Sequence, residues 1–175
     1  MAGPAPRVPG RAGKITEADR RWLREAIDLS RRCPPSQTAF SVGALLVTAE
    51  GSLLTTGYSR EGSPHDHAEE AALAKLGTRL PPGLATATLY SSLEPCRMRA
   101  SRPRACADLI IGAGIGRVVI AWREPPVFVQ GGGAERLAEA GVTVADIPDL
   151  AAEARAVNAT LLGGDGPGGG DGPSG

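Results

Sequence analysis

Apolar residues recur along this chain with two alternating periods, one typical of helices and one typical of strands. A helical stripe follows Thr16, whose hydroxyl is suited to cap a helix start. The stripe consists of Trp22, Leu23, Ala26, Ile27 and Leu29. Two apolar runs, 41–50 and 52–59, come next and predict strands. They are joined at Glu50-Gly51, a dipeptide typical of hairpin turns.

From there on, helical and strand patterns alternate. The predicted elements are a helix at 67–77, a strand at 86–93, a helix at 106–114, a strand at 117–122, a helix at 131–141, a strand at 142–147 and a helix at 149–162. Strands separated by helices pair in parallel through crossover connections. The pattern therefore predicts a three-layer α/β/α sandwich with a mixed, mostly parallel sheet of about five strands. In such sheets, sites lie at the C-terminal ends of strands and the N-termini of the helices that follow.

The length and the two ends set the domain organisation. The chain has 175 residues, which suits one domain with a sizeable core. Residues 1–14 are rich in Pro, Gly and Ala, and residues 163–175 are mostly Gly, Pro and Asp. Such segments bury too little apolar area to offset their chain entropy. We expect a folded domain at 15–162 between two disordered ends.

Charge and composition exclude several classes of partner. The formal net charge is zero and aromatic residues are scarce, which disfavours a nucleic-acid partner. No apolar run approaches the roughly 20 residues of a membrane span, so we expect no membrane partner. Three cysteines and no apolar signal region argue against a disulfide framework and favour the cytoplasm.

Three residues with metal-binding side chains stand at the boundaries of predicted elements. His67 and Cys106 begin helices, and Cys96 follows a strand. One imidazole and two thiolates make three zinc ligands and leave a fourth position open for water, as in catalytic sites. A helix N-terminus lowers the pKa of a thiol, so we expect Cys106 to be a thiolate. The pattern predicts one catalytic Zn²⁺ per chain.

Glu69 supplies the second part of the candidate chemistry. It lies two residues after His67, in the first turn of the same predicted helix. A carboxylate beside a zinc-bound water takes its proton and hands it to a leaving group. A closed structural zinc site, with His65 or Cys33 as fourth ligand, is the alternative, but it leaves Glu69 without a role. Glu70 is interpreted as a solvated helix residue.

The order His67-Ala68-Glu69, Pro95-Cys96 and Cys106 resembles the signature of zinc-dependent base deaminases. The usual signature has two residues between the cysteines, whereas this chain has nine. Over roughly 18–146 the chain resembles the deaminase domain of riboflavin-biosynthesis pyrimidine deaminases, in which a long spacing is a family trait. The resemblance is carried by SVGALLV, GYSRE, HAEEAALAKLG, LYSSLEPC and ACADLIIGAGIGRVVIAWREPP. TAFSVG, GYSRE and REPPVFV resemble the fungal-type members in particular.

This resemblance implies hydrolytic deamination of a diamino-ribosylamino- or ribitylamino-pyrimidinone 5′-phosphate. Zinc hydroxide attacks the ring carbon that bears the amine, and Glu69 shuttles the proton. The base pocket is expected to be lined by Thr38, Ala39, Phe40 and Ser41. Arginine binds phosphate through charged, bidentate contacts. The candidates for the substrate phosphate are four arginines between the two cysteines: Arg97, Arg99, Arg102 and Arg104.

The same resemblance implies a homo-oligomer, either a dimer or a tetramer, and a separate reductase in the pathway. Two alternatives remain open. One is a deaminase of the same superfamily that acts on cytidine, deoxycytidylate, guanine or a specialised nucleoside. The other is a catalytically silent zinc-binding subunit, although such a subunit has no need of Glu69. The arginine loop has a solvated surface or an oligomer contact as its alternative role.

Overall fold

The computed structural model describes residues 13–123 and 132–163. In chain order the elements are α1 Glu17–Ser30, β1 Gly43–Val47, β2 Leu53–Tyr58, α2 Ala68–Ala74, β3 Thr88–Ser91, α3 Cys106–Ala113, β4 Arg117–Ile120, α4 Gly133–Glu139, β5 Thr143–Asp146 and α5 Ala151–Val157. This order confirms the predicted alternation of strands and helices. The last helix is shorter than predicted, because a 3-10 turn at Pro148–Leu150 precedes it. The ends predicted to be disordered, 1–14 and 163–175, fall almost wholly outside the described residues.

The five strands form one mixed sheet in the order β2-β1-β3-β4-β5. Strand β1 is antiparallel to both of its neighbours, while β3, β4 and β5 pair in parallel. Four strands therefore run in one direction, and β1 alone runs against them. This arrangement confirms the predicted mixed, mostly parallel sheet. It also places the C-terminal ends of β3 and β4 on one edge.

Helices cover both faces of the sheet, and the strands divide their side chains between two cores. On one face, Leu23 and Ile27 of α1 pack with Val47 and Val119 in a core that α5 completes. On the other face, α2, α3 and α4 cover a second core. Its members include Leu46, Leu73, Leu89, Ile110, Val118 and Leu137. Neighbouring residues of one strand point into opposite cores, as the pleat of a strand requires. The predicted three-layer α/β/α sandwich is confirmed.

Thr16 caps the N-terminus of α1, as predicted. The Thr16 hydroxyl accepts a hydrogen bond from the Asp19 amide at 3.1 Å, and the Asp19 carboxylate accepts from the Thr16 amide at 2.8 Å. The same carboxylate pairs with Arg117 and accepts from the Tyr90 hydroxyl. Burial would raise the pKa of the Asp19 carboxyl, but these bonds, led by that of Arg117, hold it well below its usual range. This network anchors α1 to β3 and β4.

Two glycines let the backbone approach closely next to the candidate ligands. A Cβ at Gly57 of β2 would lie 2.2 Å from the carbonyl oxygen of Ala68 in α2. A Cβ at Gly133 of α4 would lie 1.6 Å from the carbonyl oxygen of Pro95. Neither distance is possible for a real side chain, so both positions need glycine. The start of α2 and the loop after β3 are thereby fixed in place. Within the described residues, no helix is long and apolar enough to cross a membrane.

Candidate active site and metal centre

The structure brings the three predicted metal ligands together. The Nδ1 atom of His67 lies 3.6 Å from the sulfur of Cys96 and 3.3 Å from that of Cys106. All three ligand atoms lie within 4.8 Å of one another. Zinc binds nitrogen and sulfur at about 2.0–2.3 Å, so an ion between these atoms fits the donor set. In residues 13–123 and 132–163 neither His65 nor Cys33 joins this group, which removes support for a closed four-ligand site.

Each ligand owes its position to an element boundary. His67 is the residue before α2, and its side chain makes no capping bond, so the imidazole is available to a metal. Cys106 is the first residue of α3, and Cys96 lies in the loop after β3. The amide of Cys106 donates to the sulfur of Cys96 at 3.4 Å, and the amide of Ala107 donates to the Cys96 carbonyl at 3.1 Å. The N-terminus of α3 thus holds the other cysteine.

The hydrogen bonds between the two thiols shift their pKa values in opposite directions. A hydrogen bond from the Cys106 thiol, with further bonds from His67 and the Cys106 amide, lowers the pKa of Cys96 to about 4 despite burial. The pKa of Cys106 is raised, because its thiol donates to Cys96 and is buried. The helix start was predicted to favour a thiolate on Cys106. The Cys106 amide at that helix start donates to the Cys96 sulfur and so favours a thiolate on Cys96, while a thiolate on Cys106 stays a prediction for the zinc-bound site.

His67 and Glu69 are shifted by the same surroundings. Burial alone would lower the pKa of His67, but the hydrogen bond and the charge of Cys96 raise it. The Glu69 carboxyl is buried, and burial raises its pKa. A raised pKa makes the carboxyl of Glu69 a better proton acceptor than an exposed glutamate, as a proton shuttle requires.

The carboxyl of Glu69 is held by β3. The hydroxyl of Ser91, at the end of that strand, lies 2.9 Å from Oε1 of Glu69 and 2.7 Å from the carbonyl oxygen of Leu93. Ser91 is fully buried, so its hydroxyl has little freedom apart from rotation. Glu69 is therefore held in a fixed orientation at the C-terminal end of β3, where it lines the same cleft as His67 and Cys96.

A cleft of about 570 Å³ opens over the metal centre, and His67, Glu69 and Cys96 form part of its lining. The segment 34–41, which we call the pocket wall, contributes five of its eight residues to the same lining. Three of its four predicted base-pocket residues, Thr38, Ala39 and Phe40, line the cleft. Ser41 is not part of the lining. Its amide donates to Oδ1 of Asn158 at 2.7 Å, so its main chain faces α5.

Two arginines of the arginine loop, which is the segment between Cys96 and Cys106, form ion pairs beside the cleft. Arg99 is almost fully buried and donates to Glu70 at 3.0 Å and to the His65 carbonyl at 2.6 Å. Arg102 donates to Glu70 and to Asp66, at 3.1 Å in each case. These bonds join α2 and the segment before it to the loop between the cysteines. They therefore join the two segments that supply the metal ligands.

The other two arginines of the loop make fewer contacts. Arg104 donates to the carbonyl of Asp108 at 3.0 Å. Arg97 is exposed and has no hydrogen bond or ion pair within the part of the chain that the structure describes. None of the four arginines belongs to the described lining of the cleft, although Ser101 of the same loop does.

Sequence reasoning missed Glu70 and Glu94. Glu70 was interpreted as a solvated helix residue, but it is the shared acceptor of Arg99 and Arg102. An acid beside a predicted ligand, with an arginine-rich loop elsewhere in the chain, was the available signal. Glu94 is buried in the cleft lining, and one of its oxygens accepts from the Ala134 amide at 2.8 Å. It fixes the loop before Cys96 to the start of α4, a contact that no spacing indicates.

A zinc centre of one imidazole and two cysteines, with a glutamate beside it, is the arrangement that nucleobase deaminases use. The fold and the site thus define the class of zinc-dependent deaminases. Residues 16–122 match the family described as the cytidine and deoxycytidylate deaminase zinc-binding region. This chain belongs to that family.

Similar sequences come from riboflavin biosynthesis. The chain is 38% identical over 124 residues to a diaminohydroxyphosphoribosylamino-pyrimidine deaminase of Schizosaccharomyces pombe, covering 70% of this chain and 30% of that protein. It is 37% identical over 149 residues to the riboflavin biosynthesis protein RibD of Aquifex aeolicus, covering 82% and 38% respectively. The chain therefore spans less than half the length of these curated relatives.

Solved structures agree with this relationship. The Rib2 deaminase of Aspergillus oryzae in complex with DARIPP is 25% identical with a TM-score of 0.68, over 85% of this chain and 92% of that one. RibD of Acinetobacter baumannii is 27% identical with a TM-score of 0.68, over 85% and 40%. A dCMP deaminase of cyanophage S-TIM5, 22% identical with a TM-score of 0.58, shares the fold. The resemblance to riboflavin-biosynthesis deaminases is confirmed.

Proposed function

We propose that this protein is a zinc-dependent pyrimidine deaminase of riboflavin biosynthesis. Its substrate is a diamino-ribosylamino- or ribitylamino-pyrimidinone 5′-phosphate. The observation that carries the proposal is the convergence of His67 Nδ1 with the sulfurs of Cys96 and Cys106, in one cleft with buried Glu69. The names of the similar proteins support the choice of substrate over cytidine or deoxycytidylate.

The proposed mechanism divides the work between metal and protein. His67, Cys96 and Cys106 would hold the zinc ion, which would supply a water that is nucleophilic at neutral pH. Glu69 takes a proton from that water and passes it to the ring nitrogen beside the carbon under attack. The proton that remains on the attacking oxygen then passes through Glu69 to the amine. The amine leaves as ammonia, and the ring carbon becomes a carbonyl. The pocket wall holds the ring in place during both transfers.

An assay of ammonia release tests this function. We expect the zinc-loaded protein to release ammonia from the phosphorylated diaminopyrimidine and to leave cytidine and deoxycytidylate largely unchanged. Faster release from cytidine, deoxycytidylate or guanine would assign another substrate of the superfamily. Stoichiometric zinc without ammonia from any of these compounds would support the silent zinc-binding subunit.

The arginine loop is our proposed site for the substrate phosphate. Arg97 is the strongest candidate of the four, because its guanidinium is exposed and has no partner in the described residues. Arg99, Arg102 and Arg104 already donate to protein acceptors. We expect Arg97→Ala to raise KM more for the phosphorylated substrate than for its dephosphorylated form. Arg24→Ala, on the exposed side of α1, is the matched control. An equal rise for both substrates would remove Arg97 from this role.

Three further expectations remain proposals. The family resemblance favours a dimer or tetramer, which light scattering after size-exclusion chromatography measures directly. A separate reductase is expected to act in the same pathway on the pyrimidine with its ribosyl or ribityl side chain. Location in the cytoplasm stays a prediction from the sequence.

A further inference from the structure

The pocket wall, residues 34–41, has no helix or strand of its own. Its residues are exposed or partly buried, and its main-chain groups are bonded by side chains rather than by a helix or strand. Ser36 supplies one local partner, because its hydroxyl accepts from the amides of Thr38 and Ala39 at 3.2 and 3.1 Å. The carbonyl oxygens of the wall face a different partner, which comes from the loop between β2 and α2.

That partner is Arg60, whose guanidinium is used completely by the wall. A guanidinium has five N–H donors. Two of them bond the Pro34 carbonyl, at 3.0 and 2.7 Å. The remaining acceptors are the carbonyls of Phe40 at 2.9 Å and Ala39 at 3.4 Å, and the Ser41 hydroxyl at 2.9 Å. All five donors are thus directed at segment 34–41, and both ends of the wall are held by one side chain.

The charge of Arg60 is not used for an ion pair. Within the described ranges, no carboxylate lies within 4.0 Å of its guanidinium, and every acceptor is a neutral oxygen. Burial lowers the pKa of Arg60, as expected for a cation surrounded by neutral groups. Such an arrangement costs desolvation energy. In return, the five hydrogen bonds of Arg60 keep the wall ordered.

The backbone of Arg60 is also unusual. It has a φ of 61°, the only positive value of a non-glycine residue in the described chain. This left-handed conformation is uncommon for a residue with a side chain, and such conformations concentrate at functional sites. The Arg60 amide donates to the Asp66 carbonyl at 2.8 Å, which closes the loop immediately before His67. The side chain that holds the wall is therefore tied by its own backbone to the start of the metal-binding segment.

We propose that Arg60 is a positioning residue for substrate binding. It holds the pocket wall at a fixed distance from His67 and Glu69, and so sets the shape of the pocket that receives the pyrimidine ring. Arg60 borders the cleft, but all its N–H donors are directed at the wall, so it acts through the wall rather than by binding the substrate itself. This inference rests on the proposed deaminase function, and it names a residue that shapes the pocket for the pyrimidine ring.

Arg60→Ala and Arg60→Lys test the role in the full-length, zinc-loaded chain. Lysine keeps the charge but has three donors on one nitrogen, so it reaches only part of the wall. The matched control is Arg32→Ala, which removes a nearby guanidinium that lies 5.3 Å from the Tyr58 ring centre. The first measurement is hydrogen–deuterium exchange of peptides covering 34–41. The second is the deaminase KM and kcat, and the third is zinc content.

We expect Arg60→Ala to exchange faster in 34–41 with normal zinc content and unchanged exchange in α1 and β3. Its KM should rise by about tenfold or more with a smaller fall in kcat, because a loosened wall mispositions the ring. Arg60→Lys should lie between Arg60→Ala and the wild type, and added guanidinium ion should partly restore the KM of Arg60→Ala. The control should match the wild type in every measurement.

Three results would overturn the proposal. One is wild-type exchange in 34–41 for Arg60→Ala. Another is a lysine variant that equals the wild type in exchange and KM. The third is faster exchange throughout the sheet with loss of zinc, which would make Arg60 a residue of general stability. The exchange measurement needs no substrate, so absence of deaminase activity in the wild type would contradict the proposed function and leave the test of the wall intact.

Discussion

The metal centre and the pocket wall face each other across one cleft, and the chain builds them in different ways. His67 immediately precedes α2, Cys106 begins α3, and Cys96 lies in the loop after β3, where the amide at the start of α3 donates to its sulfur. The pocket wall has no regular structure and is held by side chains of Arg60 and Asn158. The metal side of the cleft is positioned mainly by helix starts, with ion pairs of Glu70 as support, and the other side is positioned by polar side chains.

This difference indicates that different residues control the reaction itself and the affinity for the substrate. Ligands at helix starts and strand ends are fixed by the same hydrogen bonds that form the fold, so their geometry resists small changes. A wall held by a few side-chain bonds changes shape when one of those side chains changes. We therefore expect substitutions at the metal centre to abolish the reaction, and substitutions behind the wall to alter affinity while the reaction continues.

The largest effect is expected from Cys106→Ser. A hydroxyl is a poor zinc ligand, so the metal should fall from about one per chain toward zero and ammonia release should disappear. Zinc is counted by atomic absorption after dialysis. Cys33→Ser is the matched control, because that thiol lies 3.4 Å from the Val42 carbonyl and outside the ligand group. Retention of zinc and activity by Cys106→Ser would contradict the three-ligand centre.

Glu69→Gln should have the next largest effect. Glutamine keeps the size of the side chain and the bond to Ser91 but loses the proton-carrying group. We expect kcat to fall by about 10²–10⁴-fold with zinc content unchanged. The exposed Glu25→Gln on α1 controls for loss of a carboxylate. A kcat near that of the wild type would mean that another group carries the proton.

Glu70→Gln should weaken the metal centre without removing it. The side chain of Arg99 is almost fully buried, so loss of its charged partner loosens the loop between the two cysteines. We expect zinc affinity to fall by about tenfold, with most of kcat retained at saturating zinc. Competition with a chromogenic chelator measures the affinity. The control is Asp28→Asn, which breaks an exposed pair with Arg31. Unchanged zinc affinity would show that the ion pairs do not support the ligands.

Asn158→Ala should have the smallest effect, and it tests the wall alone. Asn158 accepts from the Ser41 amide at 2.7 Å and donates to the Ser41 carbonyl at 3.1 Å. Losing both bonds should lower the free energy of unfolding by about 1–3 kcal/mol, as urea denaturation measures. We also expect a modest rise in KM at constant zinc content. The neighbouring, exposed Thr160→Ala is the control, and a loss of zinc in Asn158→Ala would argue against separate construction of the two sides.

Much of the fold and the metal centre was predictable because their signals are local. Alternation of apolar residues identified the strands and helices, and Thr16 marked the start of α1. His67, Cys96 and Cys106 were recognisable because each stands at an element boundary and belongs to a known pattern. The protonation of the thiols was not predictable in this way. It depends first on the hydrogen bond between the Cys106 thiol and Cys96, a contact created by the return of the loop.

The residues that hold the pocket wall could not be predicted from the sequence. Thr38, Ala39 and Phe40 were named from family resemblance, but the residues that hold them were not. Arg60 bonds acceptors 19 to 26 positions away, and Asn158 bonds Ser41 from 117 positions away. Contacts between a side chain and a distant main chain leave no periodic trace. Glu70 was misinterpreted for the same reason, because its arginine partners lie about 30 positions along the chain.

The hydroxyl of Ser91 has a consequence for how Glu69 changes its protonation. It lies between Oε1 of Glu69 and the Leu93 carbonyl, but it has one proton and can donate to only one of them at a time. While Glu69 is charged, the hydroxyl turns to the carboxylate. Once Glu69 holds a proton, the acid can donate to Ser91, and the hydroxyl turns to Leu93. Rotation about one C–O bond therefore follows each proton, and no heavy atom has to move.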